Sequence, residues 1–203
     1  MENEVVGENI NYCLEDIFTL EDIEDRRIYL NCDIDTKAAE HVVYYILRYN
    51  RIDIGRPAEE RKPITVYINS KGGSVTAGFA IIDAMINSKT PVHTVNLAEC
   101  YSMSFLIFIA GEKRFAMPSS TYLCHDGSSY AYDTMGKLKD RMEFELGQME
   151  ERIKKYVISR TNISEKMYVK NYRKEWYFYP EEAKNLGVAT HIVGIDCDID
   201  EIL

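Results

Sequence analysis

Apolar and polar positions fall into a regular pattern from Arg27 onward. "RIYLNC" alternates as a half-buried strand does, and "DTKAAEHVVYYILRYN" then carries Ala39, Val42, Val43, Ile46 and Leu47 at the spacing of one helix face. Asp35 or Thr36 is placed to cap that helix. Residues 51–63 are polar and include Gly55, Pro57 and Pro63, which predicts a loop. "ITVYINS" reads as a β-branched strand. "KGGSVTAGFAIIDAMINSK" reads as a glycine turn, a Ser74 cap and a helix with Val75, Phe79, Ile82 and Ile86 along one side. "PVHTVNL" predicts the next strand, Ser102 to Ala110 the next helix with Gly111 as its stop, and "TYLCH" another strand.

The longest periodic segment is 134–160, where Leu138, Met142, Leu146, Met149, Ile153 and Tyr156 recur at steps of three or four with no proline. A helix of that length, charged on its other faces, is expected to project from the body or to pack on a partner subunit. "PEEAKNLG" gives a last helix, with Pro180 at its start and Gly187 past its end, and "VATHIVG" a last strand. Residues 1–26 show no sustained period and are expected to form an extended or partly mobile arm with a short ordered piece at "LEDIFTL". Residues 27–203 are expected to form one domain. The repeated alternation of strand and helix predicts an α/β fold with mainly parallel strands and helices covering the sheet. Reacting residues in such a fold gather where strands end and helices begin, here at 70–74, 98–102 and 125–127.

Composition removes several function classes. The 203 residues are 46% hydrophobic and 28% charged, enough for one sizeable core. A net charge of -9 and a pI near 5.0 speak against nucleic acid or an anionic membrane surface as partner, because both need clustered Lys and Arg. The longest apolar run, Phe105 to Ala110, is far too short to span a bilayer. "MENEVVGENIN" lacks the basic and apolar regions of a secretory signal, so a cytoplasmic location is expected. The five cysteines (Cys13, Cys32, Cys100, Cys124, Cys197) are scattered and form no CxxC, so they are expected to be reduced and mostly buried.

The candidate chemistry is sparse enough to weigh residue by residue. In "NSKGGSV", Gly72 and Gly73 permit a close backbone approach that frees N–H donors for an anion or oxyanion, or they simply allow a tight turn. No GxxxxGK[ST] or GxGxxG supports nucleotide binding. Ser102 begins a helix that Met103 and Phe105 mark as deeply buried. It is either an N-cap or a hydroxyl set at a positive helix end. His41, His93 and His191 lie inside a helix or strands and read as structural. His125 ends "TYLCH" at a sheet edge and is the best base available. No HExxH, Cys/His cluster or carboxylate ligand loop suggests a metal, and no cofactor is expected. A serine with a histidine base needs an acid to orient the imidazole, and chain order alone does not choose it from 33 acids.

Four segments, "YINSKGGSVTAGFAIIDAM", "SMSFLIFIAGEKRFAMPSS", "LCH" and "YFYPEEAKNLGVAT", resemble the ClpP family, the proteolytic subunit of the ATP-dependent Clp protease, in matching order from about Arg27 to Leu203. The resemblance implies a ClpP/crotonase-like fold of repeated β-β-α units with mainly parallel sheets, plus a projecting handle helix at about 126–160. It implies Ser102 as nucleophile, His125 as general base and Glu175 in the place of the triad aspartate. Gly72 and Met103 would supply the oxyanion hole. Polypeptide substrate would lie as an added strand beside Gly73, Ser74 and Val75 and beside 126–128, which begins with Asp126 and Gly127. The family assembles as two stacked heptameric rings of one chain and is fed by an AAA+ unfoldase. This chain has no ATP motif of its own.

The resemblance is to a divergent member of that family. Glu175 replaces an aspartate, Lys71 a proline, Asp126-Gly127 a Gln-Pro pair, and Tyr101 a small residue. The segment 51–63 is longer than the family's and 111–115 shorter, and the N-terminal arm lacks clear identity with the family's axial loops. Two other readings compete with an active serine endopeptidase. One is a catalytically weak or inactive ring subunit; the other is a crotonase-type acyl-CoA enzyme, which leaves Ser102 and His125 without a purpose.

Overall fold

The computed structural model describes residues 14–127 and 132–203. Helix α1 (Leu14–Asp25) leads into β1 (Arg27–Leu30), α2 (Thr36–Ile52), β2 (Ile64–Ser70), α3 (Val75–Ile86), β3 (Val92–Tyr101), α4 (Met103–Phe108), β4 (Arg114–Ala116) and β5 (Thr121–Cys124). Then come α5 (Met135–Glu143), a π-helical segment (Phe144–Met149), α6 (Glu150–Arg160), α7 (Glu165–Asn171), β6 (Trp176–Phe178), α8 (Pro180–Asn185) and β7 (His191–Ile192). The mixed α/β architecture with a mainly parallel sheet agrees with the expected ClpP/crotonase-like fold.

The sheet runs β1-β2-β3-β4-β7, all parallel, and β3 is its branch point. The first half of β3 pairs with β4 (Thr94↔Arg114 to Asn96↔Ala116). Its last three residues pair instead with β5 (Glu99↔Thr121 to Tyr101↔Leu123). β5 then pairs antiparallel with β6, Leu123 opposite Tyr177 and Cys124 opposite Trp176. Ser102 and His125 therefore emerge from the ends of neighbouring parallel strands.

The main core lies between the sheet and its helices, with Ile28, Val66, Ile68, Ile81, Phe105, Phe108 and Tyr122 fully enclosed. A smaller cluster of Tyr67, Val95, Phe115 and Val193 covers the other face of the central strands, closed by Ile202 from the C-terminal turn. Asp35 caps α2 through Ala38 N–H at 2.8 Å, and Ser74 caps α3 through Ala77 N–H at 3.3 Å.

Several elements depart from the sequence expectation. Residues 14–25 form α1, which contains the short ordered piece expected at "LEDIFTL"; residues 1–13 lie outside the described residues. β3 continues through Ala98–Tyr101, a stretch expected to be turn, because β5 supplies it with a partner. The long helix is continuous from Met135 to Arg160, but its middle widens into π geometry around Gly147. Its apolar stripe divides: Ile153 and Tyr156 pack on the core, while Met142 and Leu146 are exposed. Cys100, Cys124 and Cys197 are buried thiols, whereas Cys32 is exposed. Among the described residues no helix is long and apolar enough to cross a membrane.

Candidate active site

Ser102 is one of two non-glycine residues with positive φ among the described residues, at φ 55° and ψ -119°. That region is costly for a side chain, so the surroundings must hold Ser102 in it. The surroundings are specific. Ser102 N–H donates to Leu123 O at 2.9 Å, and Tyr101 N–H donates to Ser104 Oγ at 2.8 Å. Ser104 Oγ also lies 2.5 Å from Ser70 O, tying the end of β3 to the end of β2. The Ser102 hydroxyl caps no N–H of α4, so the N-cap alternative is not realised.

The glycine pair is fixed by the same close approach. At Gly72 (φ +100°) a Cβ would stand 2.6 Å from Tyr101 O and 2.9 Å from Ser102 Cβ. At Gly73 (φ +148°) it would stand 2.4 Å from Ile34 O. Only glycine permits both contacts. Their amides differ. Gly72 N–H donates to Ser70 Oγ at 3.2 Å, so the donor expected in the oxyanion hole is already engaged. Gly73 is bridged to Ile34 through the flanking groups, Ile34 N–H to Gly72 O and Ser74 N–H to Ile34 O, which leaves its own N–H facing the opposite edge. Met103, whose side chain is buried against Gly78, contributes one of the first amides of α4, and these have no acceptor within the helix.

His125 follows β5 directly, and its Nδ1 lies 2.9 Å from Glu175 Oε1, across a sequence separation of 50. The imidazole is partly buried, with 21% of the side chain exposed, whereas Glu175 is 61% exposed. The hydrogen bond to His125 holds the Glu175 carboxyl below its ordinary range, helped by Tyr177, whose hydroxyl donates to Oε2 at 3.3 Å. The contact places Glu175, one of the acids that chain order left open, against the imidazole. Ser102 and His125 line one small pocket with Val75, Met103, Leu106, Cys124, Ile153 and Tyr168. Burial pushes the Cys124 thiol up to about 12, so it is apolar lining and no rival nucleophile.

Val75 opens α3 beside this pocket, and Asp126 N–H donates to Tyr172 O at 2.5 Å, which seats the strand end that carries Gly127. Residue 128 of the expected substrate edge lies outside the described residues. Lys71 is exposed beside the glycine turn. Sequence reasoning missed Ser70 and Ser104, which hold the two turns together, and Tyr177. Tyr177 carried no signal of its own, because Glu175 directly precedes β6, a strand too short for an alternation to announce it.

Known proteins resemble this chain in sequence and in fold. The family model for Clp protease matches residues 15–196. The ATP-dependent Clp protease proteolytic subunit 2 of Treponema denticola is 29% identical over 181 residues, covering 88% of this chain and 87% of that protein. The subunit of the same description from Tropheryma whipplei is 31% identical over 178 residues, covering 84% and 92%. A solved mutant of ClpP1 from Listeria monocytogenes superposes with a TM-score of 0.77 at 26% identity, covering 92% of this chain and 99% of that one. With a family model matched over most of its length and a relative 31% identical over 84% of it, on a fold matched nearly end to end, the chain belongs to the Clp protease family.

Proposed function

We propose that the chain is a serine endopeptidase subunit that cleaves unfolded polypeptides through an acyl-enzyme. His125 Nε2 takes the proton of Ser102 Oγ as that oxygen attacks the peptide carbonyl carbon. The resulting oxyanion is held by backbone N–H groups, one from Met103 and one from the Gly72–Gly73 turn. Collapse expels the amine, which leaves with the proton from His125, and water then attacks the acyl group by the same route. Glu175 keeps Nδ1 protonated and stabilises the imidazolium. Because Gly72 N–H is engaged by Ser70, Gly73 is the glycine whose amide is open to the oxyanion in this conformation.

The observation that carries this reading is the 2.9 Å contact between His125 and Glu175, made while His125 and the strained Ser102 share one pocket. The substrate would add as a strand beside residues 73–75 and 126–127, with one side chain in the apolar pocket. Assembly into stacked rings accounts for the exposed Met142 and Leu146 of the handle and for Tyr44, Leu47 and Ile54 on and after α2, which are exposed in the isolated chain. An AAA+ unfoldase is the partner this family membership suggests. The test is hydrolysis of a fluorogenic peptide by the assembled protein: Ser102→Ala should fold and assemble normally and cleave nothing, and unchanged hydrolysis by that variant overturns the assignment.

A further inference from the structure

Glu175 acts from an exposed position, and a glutamate has one more rotatable bond to restrain than an aspartate. Something must hold its carboxylate in place if it is to orient His125. Both oxygens are occupied: Oε1 meets His125 Nδ1 at 2.9 Å and Oε2 meets the Tyr177 hydroxyl at 3.3 Å. Tyr177 is itself placed by the sheet. Tyr101, Leu123 and Tyr177 stand opposite one another on β3, β5 and β6, so their side chains share one face. The Tyr101 and Tyr177 rings meet edge to face at 5.6 Å, and Tyr101 is anchored by its hydroxyl to Thr121 Oγ1 at 2.7 Å.

We propose that Tyr177 is a positioning residue, whose hydroxyl clamps the Glu175 carboxylate against His125 and whose ring is braced by Tyr101. The proposal rests on the reading of Ser102, His125 and Glu175 as a triad. It explains two departures of this chain together, since the longer acid and the bulky residue before the serine are joined through Tyr177. The phenol remains a donor at neutral pH, because desolvation and the neighbouring Glu175 charge both push its ionisation upward.

Tyr177→Phe tests the clamp, since it removes the hydroxyl and keeps the ring that Tyr101 touches. In the assembled protein, kcat for a peptide should fall about tenfold, the equivalent of one hydrogen bond to a charged group, with KM unchanged. The same substitution in a Glu175→Ala background should cost nothing further, whereas a merely structural role would cost as much in either background. With selectively 15N-labelled histidine, the wild type should show a low-field Nδ1–H signal for His125 that Tyr177→Phe loses to exchange. Retention of full kcat, retention of the signal, or an undiminished penalty beside Glu175→Ala overturns the proposal. A wild type that cleaves no peptide would remove the triad reading instead, and the Nδ1–H signal alone would then decide whether Tyr177 places Glu175.

Discussion

The backbone N–H of Ser102 donates to the carbonyl of Leu123 at 2.9 Å, two residues before His125. One ladder hydrogen bond thereby fixes the serine turn relative to the histidine strand, and the branching of β3 makes that bond available. The site is a product of sheet register, with its strain stored at Ser102.

The strain gives a stability prediction. A non-glycine residue in such a conformation costs roughly 1–3 kcal/mol, against about 0.5–1 kcal/mol for the extra chain entropy of glycine. Ser102→Gly is therefore expected to raise the urea midpoint by the equivalent of about 1 kcal/mol while losing peptide hydrolysis. A less stable Ser102→Gly variant would mean that the φ of 55° is not a cost the fold bears.

Gly72 responds in the opposite direction. A methyl there meets Tyr101 O at 2.6 Å and Met103 N at 2.9 Å, all backbone, so Gly72→Ala must push the glycine turn away from Ser102. Turnover is expected to fall at least 10²-fold, as for loss of an oxyanion donor. Gly136→Ala, on α5 with no atom within 4 Å of the added methyl, serves as the control and should fold and turn over as the wild type does.

A buried ion pair contributes stability that acid removes. Arg26, held at φ 61°, donates to Asp53 Oδ1 at 2.8 Å and Oδ2 at 2.5 Å, and Thr90 Oγ1 adds a bond to Oδ2 at 2.9 Å. The Arg26 guanidinium keeps the Asp53 carboxyl below its ordinary value, and the Asp53 side chain is fully enclosed. A carboxyl lowered on folding stabilises the protein above its unfolded pKa, about 3.9, and that contribution disappears as pH falls through the folded value. Asp53→Asn is expected to cost about 3 kcal/mol at pH 7, because it leaves Arg26 buried without a counter-charge. The gap to wild type should narrow as pH drops from about 5 to 3; a gap independent of pH would contradict the assignment.

Glu175→Gln keeps the side-chain length and removes the charge. If Glu175 orients His125 and stabilises its imidazolium, turnover should fall by about 10²–10⁴-fold with little change in melting temperature. Near-normal turnover would show that another group performs the task.

The strands and helices that the sequence made legible are those long enough to display a period: β2, α3, the first half of β3, and the 134–160 helix as a whole. What it hid depends on partners. β4 and β6 are three residues each, too short for an alternation, and exist because β3 and β5 offer them edges. Ala98–Tyr101 looked like turn because Glu99 breaks the apolar run, yet β5 supplies a ladder there. The π segment leaves no mark in a pattern of threes and fours. At the site, Ser102 and His125 stood out by position in an alternating α/β chain. Glu175 came only from resemblance, because nothing local distinguishes it among the acids until β5 and β6 pair. Gly72 and Gly73 were recognisable as a close-approach turn, but which amide stays open depends on Ser70, and no sequence pattern reports that.

The central claim is that Ser102 is an activated nucleophile. Intact-mass analysis of the assembled protein after a fluorophosphonate probe, wild type beside Ser102→Ala, tests it most directly. The account predicts one adduct per chain on the wild type and none on the variant. An unlabelled wild type, or equal labelling of both, would contradict it.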